Sequence, residues 1–279
     1  MFYIISFVKS ILSPAKINLG IWVNKRRDDG YHEIFTLYQE VNIFDEILIK
    51  EDGPLLVTSN YPIPMEKNLV YKAVLEFQRE TGCYIDIAVH IHKKIPIGSG
   101  LGGGSSNVAA ILKEINSLLG NPVTKEELAE IASKVSSDAA FFLYGGTAMG
   151  RGRGEIIEPV DPLDLDITIV IPDVQCSTRK VYGAIREHHF SEPPDPKEVI
   201  EFVKNKEIHN LKNVLGELAC EIYPEVGEVK RFLESRGLKP LVSGTGSAVF
   251  YIGKASEDIR RACKLRSWRI FEAKAGLGV

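Results

Sequence analysis

At 279 residues and a formal net charge of only −3, the chain can build two lobes or one large α/β unit, and with no long basic block nucleic acid is not its obvious partner. Its 44% hydrophobic and 25% charged residues are those of an ordinary soluble globular protein, and no run is long and apolar enough to span a bilayer. Four dispersed cysteines (Cys83, Cys176, Cys220 and Cys263) with no CxxC pair exclude a disulfide framework and structural zinc, and predict reduced thiols in a cytoplasmic protein.

Met1 to Leu12 is apolar, but it lacks a basic start and a small-residue cleavage site, so a strand is expected rather than a signal sequence. From Ser13 to Val23, apolar Ala15, Ile17, Leu19 and Ile21 alternate with Lys16, Asn18 and Gly20, the pattern of a half-buried strand. Lys25 to Gly30 is a polar turn, and Tyr31 to Phe44 returns to β character. Leu69, Ala73, Leu75 and Phe77 predict a helix over 68–80, and Tyr84 to Ile95 alternates as a strand. Val108, Ile111, Leu112, Ile115, Leu118 and Leu119 then recur at helical spacing until Gly120, Asn121 and Pro122. Thr124 with Glu127 forms a capping box for a helix running to about Val135, and Ser136-Ser137-Asp138 precedes a short apolar segment from Ala139 to Tyr144. Gly145 to Gly154 carries five glycines and is the expected lobe boundary. Beyond it lie a buried strand over 166–172, helices around 226–235 and 257–265, and, over 242–252, a small-residue loop that enters a strand.

The chemistry concentrates between the strand ending at Ile95 and the helix carrying Val108. Pro96, Ile97, Gly98, Ser99, Gly100, Leu101, Gly102, Gly103, Gly104, Ser105, Ser106 and Asn107 form a strand-to-helix connection with five glycines. Glycines permit positive φ, so backbone N–H groups can converge, and the following helix offers unpaired N–H groups and a positive dipole end. Ser105 and Ser106 add hydroxyls. The stretch is therefore an anion site suited to a polyphosphate. Gly98, Gly100 and Gly103 also satisfy the dinucleotide pattern G-x-G-x-x-G, but the acids about 20 residues on, Glu126 and Glu127, lie inside a capped helix. No lysine follows the glycines, so the Walker pattern is absent, as are the HRD and DFG signatures of protein kinases. A flexible linker remains the bland reading.

This loop resembles the phosphate-loop motif of the GHMP kinases. Pro14 to Leu19 resembles their N-terminal strand motif, and Ser243-Gly244-Thr245-Gly246-Ser247 their C-terminal glycine motif. Asp29 to Glu33, Asn68-Leu69-Val70, Ser136 to Leu143, Gly152 to Glu155, Ser177 to Tyr182 and Tyr223 to Val226 are similar to the branch of 4-diphosphocytidyl-2-C-methyl-D-erythritol kinases. The matches cover nearly the whole chain in order. The chain departs from the branch at Ala139-Ala140, where Val-Pro is usual, at Ser136, where Gly is common, and at Val214, where Asp often follows the Asn.

The resemblance implies a two-lobed α+β GHMP kinase fold with the active-site cleft between lobes, residues 1–153 forming the ATP-binding domain and 154–279 the C-terminal domain. It implies ATP with Mg2+, transfer of the γ-phosphoryl to the 2-hydroxyl of the cytidine diphosphate methylerythritol substrate, and a place in the non-mevalonate route to isoprenoid precursors. Asp138, an N-cap on the bland reading, becomes the catalytic base. Lys16, a solvent-facing strand residue on the bland reading, becomes the cation beside the acceptor hydroxyl, with Asn18 next to it on the substrate. Tyr31 and Tyr182 are implied to stack on the cytosine and His32 to bond its edge; Asn68 and Leu69 lie near adenine; Gly244, Thr245 and Gly246 offer backbone N–H groups to the substrate. His90 and His92 share one strand face but lack a third ligand, so no protein metal site is expected. A monomer or weak homodimer is expected, with neither nucleic acid nor membrane as partner. Another GHMP kinase acting on a different alcohol, a non-catalytic nucleotide sensor and a dehydrogenase stay open as alternatives.

Overall fold

The computed structural model describes residues 9–51, 53–205, 207 and 210–275. Residues 9–12 open the first strand, and the rest of the Met1–Leu12 segment lies outside the described residues. The chain divides into two compact units. One takes the chain through Ala15, then Ile43–Pro96 and Gly102–Leu143; the other takes Lys16–Asn42, Ile97–Leu101 and the chain from Tyr144 onward. Two long, mutually paired strands, β1 (Lys9–Arg26) and β2 (His32–Glu51), contribute to both.

In the first unit, residues 46–51 of β2 pair antiparallel with β4 (Ile87–His92), and β3 (Leu56–Ser59) pairs parallel to β4. Three helices, α1 (Leu69–Thr81), α2 (Gly103–Leu118) and α3 (Lys125–Val135), pack on one another, and α4 (Ala139–Tyr144) follows. Local chemistry sets their ends. The Asn68 side chain accepts from Val70 N, and Gly82 at φ 69° closes α1. Thr124 and Glu127 form the expected capping box on α3. Val70, Ala73, Val74 and Phe77 make the buried stripe of α1. Phe77 is fully buried, and truncating it to Ala would cost about 3–5 kcal/mol. The strand expected over 84–95 is shorter, because residues 82–86 form irregular backbone after the helix cap.

In the second unit, residues 36–39 of β2 pair antiparallel with β5 (Thr147–Arg151), which forms a hairpin with β6 (Ile156–Val160). The glycine-rich stretch 145–154 thus carries β5 and its turn. A second, antiparallel sheet has the order β10 (Arg269–Lys274), β7 (Asp166–Ile171), β9 (Val249–Ile252), β8 (Leu241–Val242). Five helices accompany it among the described residues: α5 (Thr178–Gly183), α6 (Pro196–Lys204), α7 (Val214–Ile222), α8 (Pro224–Glu234) and α9 (Glu257–Leu265). One core joins Val170, Val249 and Tyr251 to Val226, Val229, Leu233, Ile259 and Trp268; a second joins Ile21, Val23 and Ile34 to Val181, Leu215 and Leu218.

Mixed helix and strand with two sheets matches the expected α+β class. One local expectation is corrected. β1 is not half-buried: Ala15, Ile17 and Leu19 are fully covered, and Lys16 and Asn18 on the other face are only 3% and 2% exposed. Alternation of residue type predicts a solvent face only where that face lacks tertiary cover.

Candidate active site

The glycine-serine loop is a strand-to-helix connection, as its residues predict. Gly98, Gly100 and Gly102 take φ of 68°, 77° and 71°, which other residues rarely adopt. At Gly100 space also forbids a side chain, because a Cβ there would sit 2.1 Å from the Ser243 carbonyl oxygen. Helix α2 starts at Gly103, two residues before the serines, and runs 16 residues with Gly102 at its N-cap and no side chain capping it. Its first N–H groups are therefore left to a ligand or solvent. Gly104 is the exposed residue of that turn, whereas Ser105 and Ser106 are buried. The Ser106 hydroxyl accepts a 2.6 Å bond from Ser13, and the Ser105 hydroxyl shares one of 2.7 Å with Ser136.

In the first unit that last bond ties the opening turn of α2 to the turn bearing Asp138. Ala139 N donates to Ser136 O at 3.0 Å, and α4 begins at Ala139, so the Asp138 carboxylate stands at a partly buried turn two residues from Ser136. Leu69 lies against the same turn of α2, its Cδ1 3.2 Å from where a Cβ on Gly104 would be. Asn68 is buried with its side chain committed to capping α1.

Sequence reading passed over the device that holds the strand end before the loop. Asp45 is fully buried; it pairs with Lys93 and accepts from the backbone N–H of Lys94 and Ile95 at 2.7 and 2.8 Å. Asn107 donates to Asp45 and to Ser13 and accepts from Lys93. Burial pushes the Lys93 ammonium below its ordinary value, and Asp45 opposes that shift. The available signal was the acidic pair Asp45-Glu46 inside a mostly apolar strand, which reads equally as a sheet edge.

In the second unit the loop meets β1 and the C-terminal glycine motif. Lys16 N donates to Leu101 O at 2.9 Å. The Lys16 ammonium bonds Asn18 Oδ1 at 2.6 Å and lies 5.5 Å from the Tyr38 ring centroid; Asn18 in turn donates to Thr36. The Ser243 hydroxyl donates to Gly100 O at 3.1 Å and accepts from Asn18 N. Gly244 and Gly246 take positive φ, and the Thr245 hydroxyl lies 3.2 Å from that of Thr178. Cys176 N donates to Gly98 O. Burial pushes the Cys176 thiol up to about 12 and that of Cys220 to about 11, so both are unreactive thiols.

Tyr31 and His32, neighbours in sequence, part company. Tyr31 is exposed, with the Arg153 guanidinium 4.9 Å above its ring. His32 instead meets Tyr182, ring centroids 5.7 Å apart at 33°, and Phe190 at 6.2 Å. Phe190 carried no motif in the sequence. Burial, then the charge of Arg26, lowers the His32 pKa, which keeps the imidazole neutral, one nitrogen donating and the other accepting. Among the described residues no group of three or more His, Cys, Asp or Glu could hold a metal, and no helix is long and apolar enough to cross a membrane.

Residues 68–146 match the GHMP kinases N terminal domain. The chain is 42% identical over 270 residues to a 4-diphosphocytidyl-2-C-methyl-D-erythritol kinase of Hydrogenobaculum sp. (strain Y04AAS1), covering 96% of this chain and 95% of that one. It is 39% identical to one from Persephonella marina (strain DSM 14350 / EX-H1), covering 95% and 98%. A crystal structure of 4-(cytidine 5'-diphospho)-2C-methyl-D-erythritol kinase superposes with a TM-score of 0.82 at 32% identity, over 97% of this chain and all of that one. Glycine loop, buried strand lysine and whole-length likeness agree: the chain belongs to the 4-diphosphocytidyl-2-C-methyl-D-erythritol kinase family of the ATP-using GHMP kinases.

Proposed function

We propose that this kinase transfers the γ-phosphoryl of ATP to the 2-hydroxyl of 4-diphosphocytidyl-2-C-methyl-D-erythritol, in the non-mevalonate route to isoprenoid precursors. The observation that carries the mechanism is the Ser105–Ser136 bond, which joins the N–H-rich start of α2 to the turn bearing the only acid of the Ser136 to Leu143 segment, Asp138. The Gly98 to Ser106 backbone cradles the polyphosphate, and Asn68 and Leu69 border the adenine. The acceptor oxygen attacks the γ-phosphorus, its proton passes to Asp138, and ADP leaves. Lys16, oriented by Asn18, offsets charge developing on the acceptor oxygen. Phosphoryl transfer rests mainly on position and charge stabilisation, and these are the roles the proposal gives to the loop, Lys16 and Asp138.

Mg2+ accompanies the ATP. The donors near α2 are hard oxygens (the Ser105 and Ser136 hydroxyls and the Asp138 carboxylate), which suits a cation held mostly by phosphate oxygens. It would neutralise phosphate charge. His32, Tyr182 and Tyr31 bind the cytosine; Gly244, Thr245 and Gly246 face the rest of the substrate. Residues 1–153 form the ATP-binding domain and 154–279 the C-terminal domain. The free cysteines fit a cytoplasmic enzyme, acting as a monomer or weak homodimer.

The test is direct. Pure protein with ATP, Mg2+ and the cytidine substrate should release ADP and a phosphorylated product, with CMP or CDP competing. Folded protein that consumes no ATP above background sinks the proposal. Turnover indifferent to CMP and CDP points to a different alcohol.

A further inference from the structure

Asn213 immediately precedes α7, in the place of a helix cap, yet its side chain makes no cap bond. It is 3% exposed and commits its amide hydrogens elsewhere: Nδ2 donates to Val242 O at 2.7 Å and to Gly244 O at 2.8 Å. Its own backbone is fixed, since it bridges to Ile21 and the neighbouring Lys212 O accepts from Ile21 N at 2.7 Å. Gly216 keeps the room clear, because a Cβ there would lie 3.0 Å from Nδ2 and 2.6 Å from the Val242 Cβ.

The two carbonyls that Asn213 holds flank Ser243, so they set the orientation of that residue. Ser243 reaches Gly100 O through its hydroxyl, while Ser247 N and Ala248 N donate to Gly98 O and Ser99 O at 3.2 and 2.9 Å. Three successive carbonyls of the glycine loop are thus taken by the 243–248 segment. A trans peptide points its N–H opposite to its C=O. The N–H groups of Gly100 and Leu101 are therefore turned away from that segment, on the side where an anion can be met.

We infer that Asn213 is a positioning residue that locks the 243–248 segment and, through Ser243, aims the N–H groups of the phosphate loop, so that nucleotide affinity depends on a side chain that does not touch nucleotide. This rests on the reading of Gly98 to Ser106 as the ATP phosphate loop.

The experiment uses the full chain and AMP-PNP as probe, by calorimetry, with turnover in parallel. Asn213→Asp keeps the size, removes both donors and sets a carboxylate against two carbonyls. The expected result is an AMP-PNP Kd raised about tenfold and a lower kcat, with the KM for the cytidine substrate rising as well because Gly244 to Gly246 lie on the segment that Asn213 locks. Ser243→Ala should reproduce the loss of nucleotide affinity, and the double variant should be no worse than the poorer single one. A folded Asn213→Asp with unchanged AMP-PNP affinity overturns the inference, as do additive losses. If Asn213→Asp does not fold, Ser243→Ala decides: unchanged affinity overturns the inference, and a tenfold loss supports it. Wild-type protein that binds no AMP-PNP overturns the kinase reading itself, before any variant is compared.

Discussion

The glycine loop and the Tyr31–His32 turn are both short connections, yet they are held in opposite ways. The loop is over-determined: its carbonyls are bonded at Gly98, Ser99, Gly100 and Leu101, and a single methyl at Gly100 would overlap Ser243. The turn is closed by its own backbone bonds, Arg27 N to Tyr31 O and Gly30 N to Arg27 O, and by ion pairs of Arg27 with Asp29 and Glu33 near the surface, and a Cβ on Gly30 would meet nothing within 4 Å. Phosphoryl donors must be placed to a fraction of an ångström, whereas base recognition spreads over ring faces and edges that tolerate adjustment. Substitutions should therefore act on kcat and folding near the loop, and on KM near the turn.

Asp138→Asn gives the sharpest contrast. Its kcat should fall about 10²–10⁴-fold with little change in KM, because the amide keeps the shape and loses the base. Full activity in this variant would remove the base assignment and, with it, the loop's claim to the chemistry. Asp45→Asn tests the support beneath the loop. Breaking the buried pair with Lys93 should cost about 3–5 kcal/mol, read as a lower urea midpoint; an unchanged midpoint would mean that the loop is held without it.

His32→Ala moves the test to the turn, where KM for the cytidine substrate should rise about tenfold while kcat is kept. The pH dependence has a definite sign. The folded pKa of His32 lies below its ordinary 6.5, through burial and then Arg26. The unfolded chain takes up this proton first, so the stabilising contribution is complete above pH 6.5 and is lost as pH falls through the lowered folded value. KM should stay flat at and above pH 6.5 and climb only as pH falls through the lowered folded value, and His32→Ala should erase the bend. A bend that persists in the variant would assign it to another group. The smallest effect belongs to Arg27→Gln, since exposed ion pairs contribute little: KM should shift less than about twofold, and less still in high salt. A tenfold shift would show the turn to be as tightly specified as the loop.

What local rules govern was legible in the residues. The capping box of Thr124 and Glu127, the span of α9 and the glycine loop all depend on neighbours within a few positions, so sequence alone determined them. Helix α5 escaped because six residues are too few to show a helical period, and α6 because the proline-rich stretch before it, Glu192 to Pro196, reads as a loop. The cover over Lys16 and Asn18 was set by tertiary structure, as were the meeting of His32 with Tyr182 and Phe190 and the hold of Asn213 on Val242 and Gly244. Ser243 sits 225 positions from the Asn18 N–H that it accepts. Periodicity and capping carry no information over such a distance, since those partners exist only once the apolar faces have packed and left each buried polar group to find another.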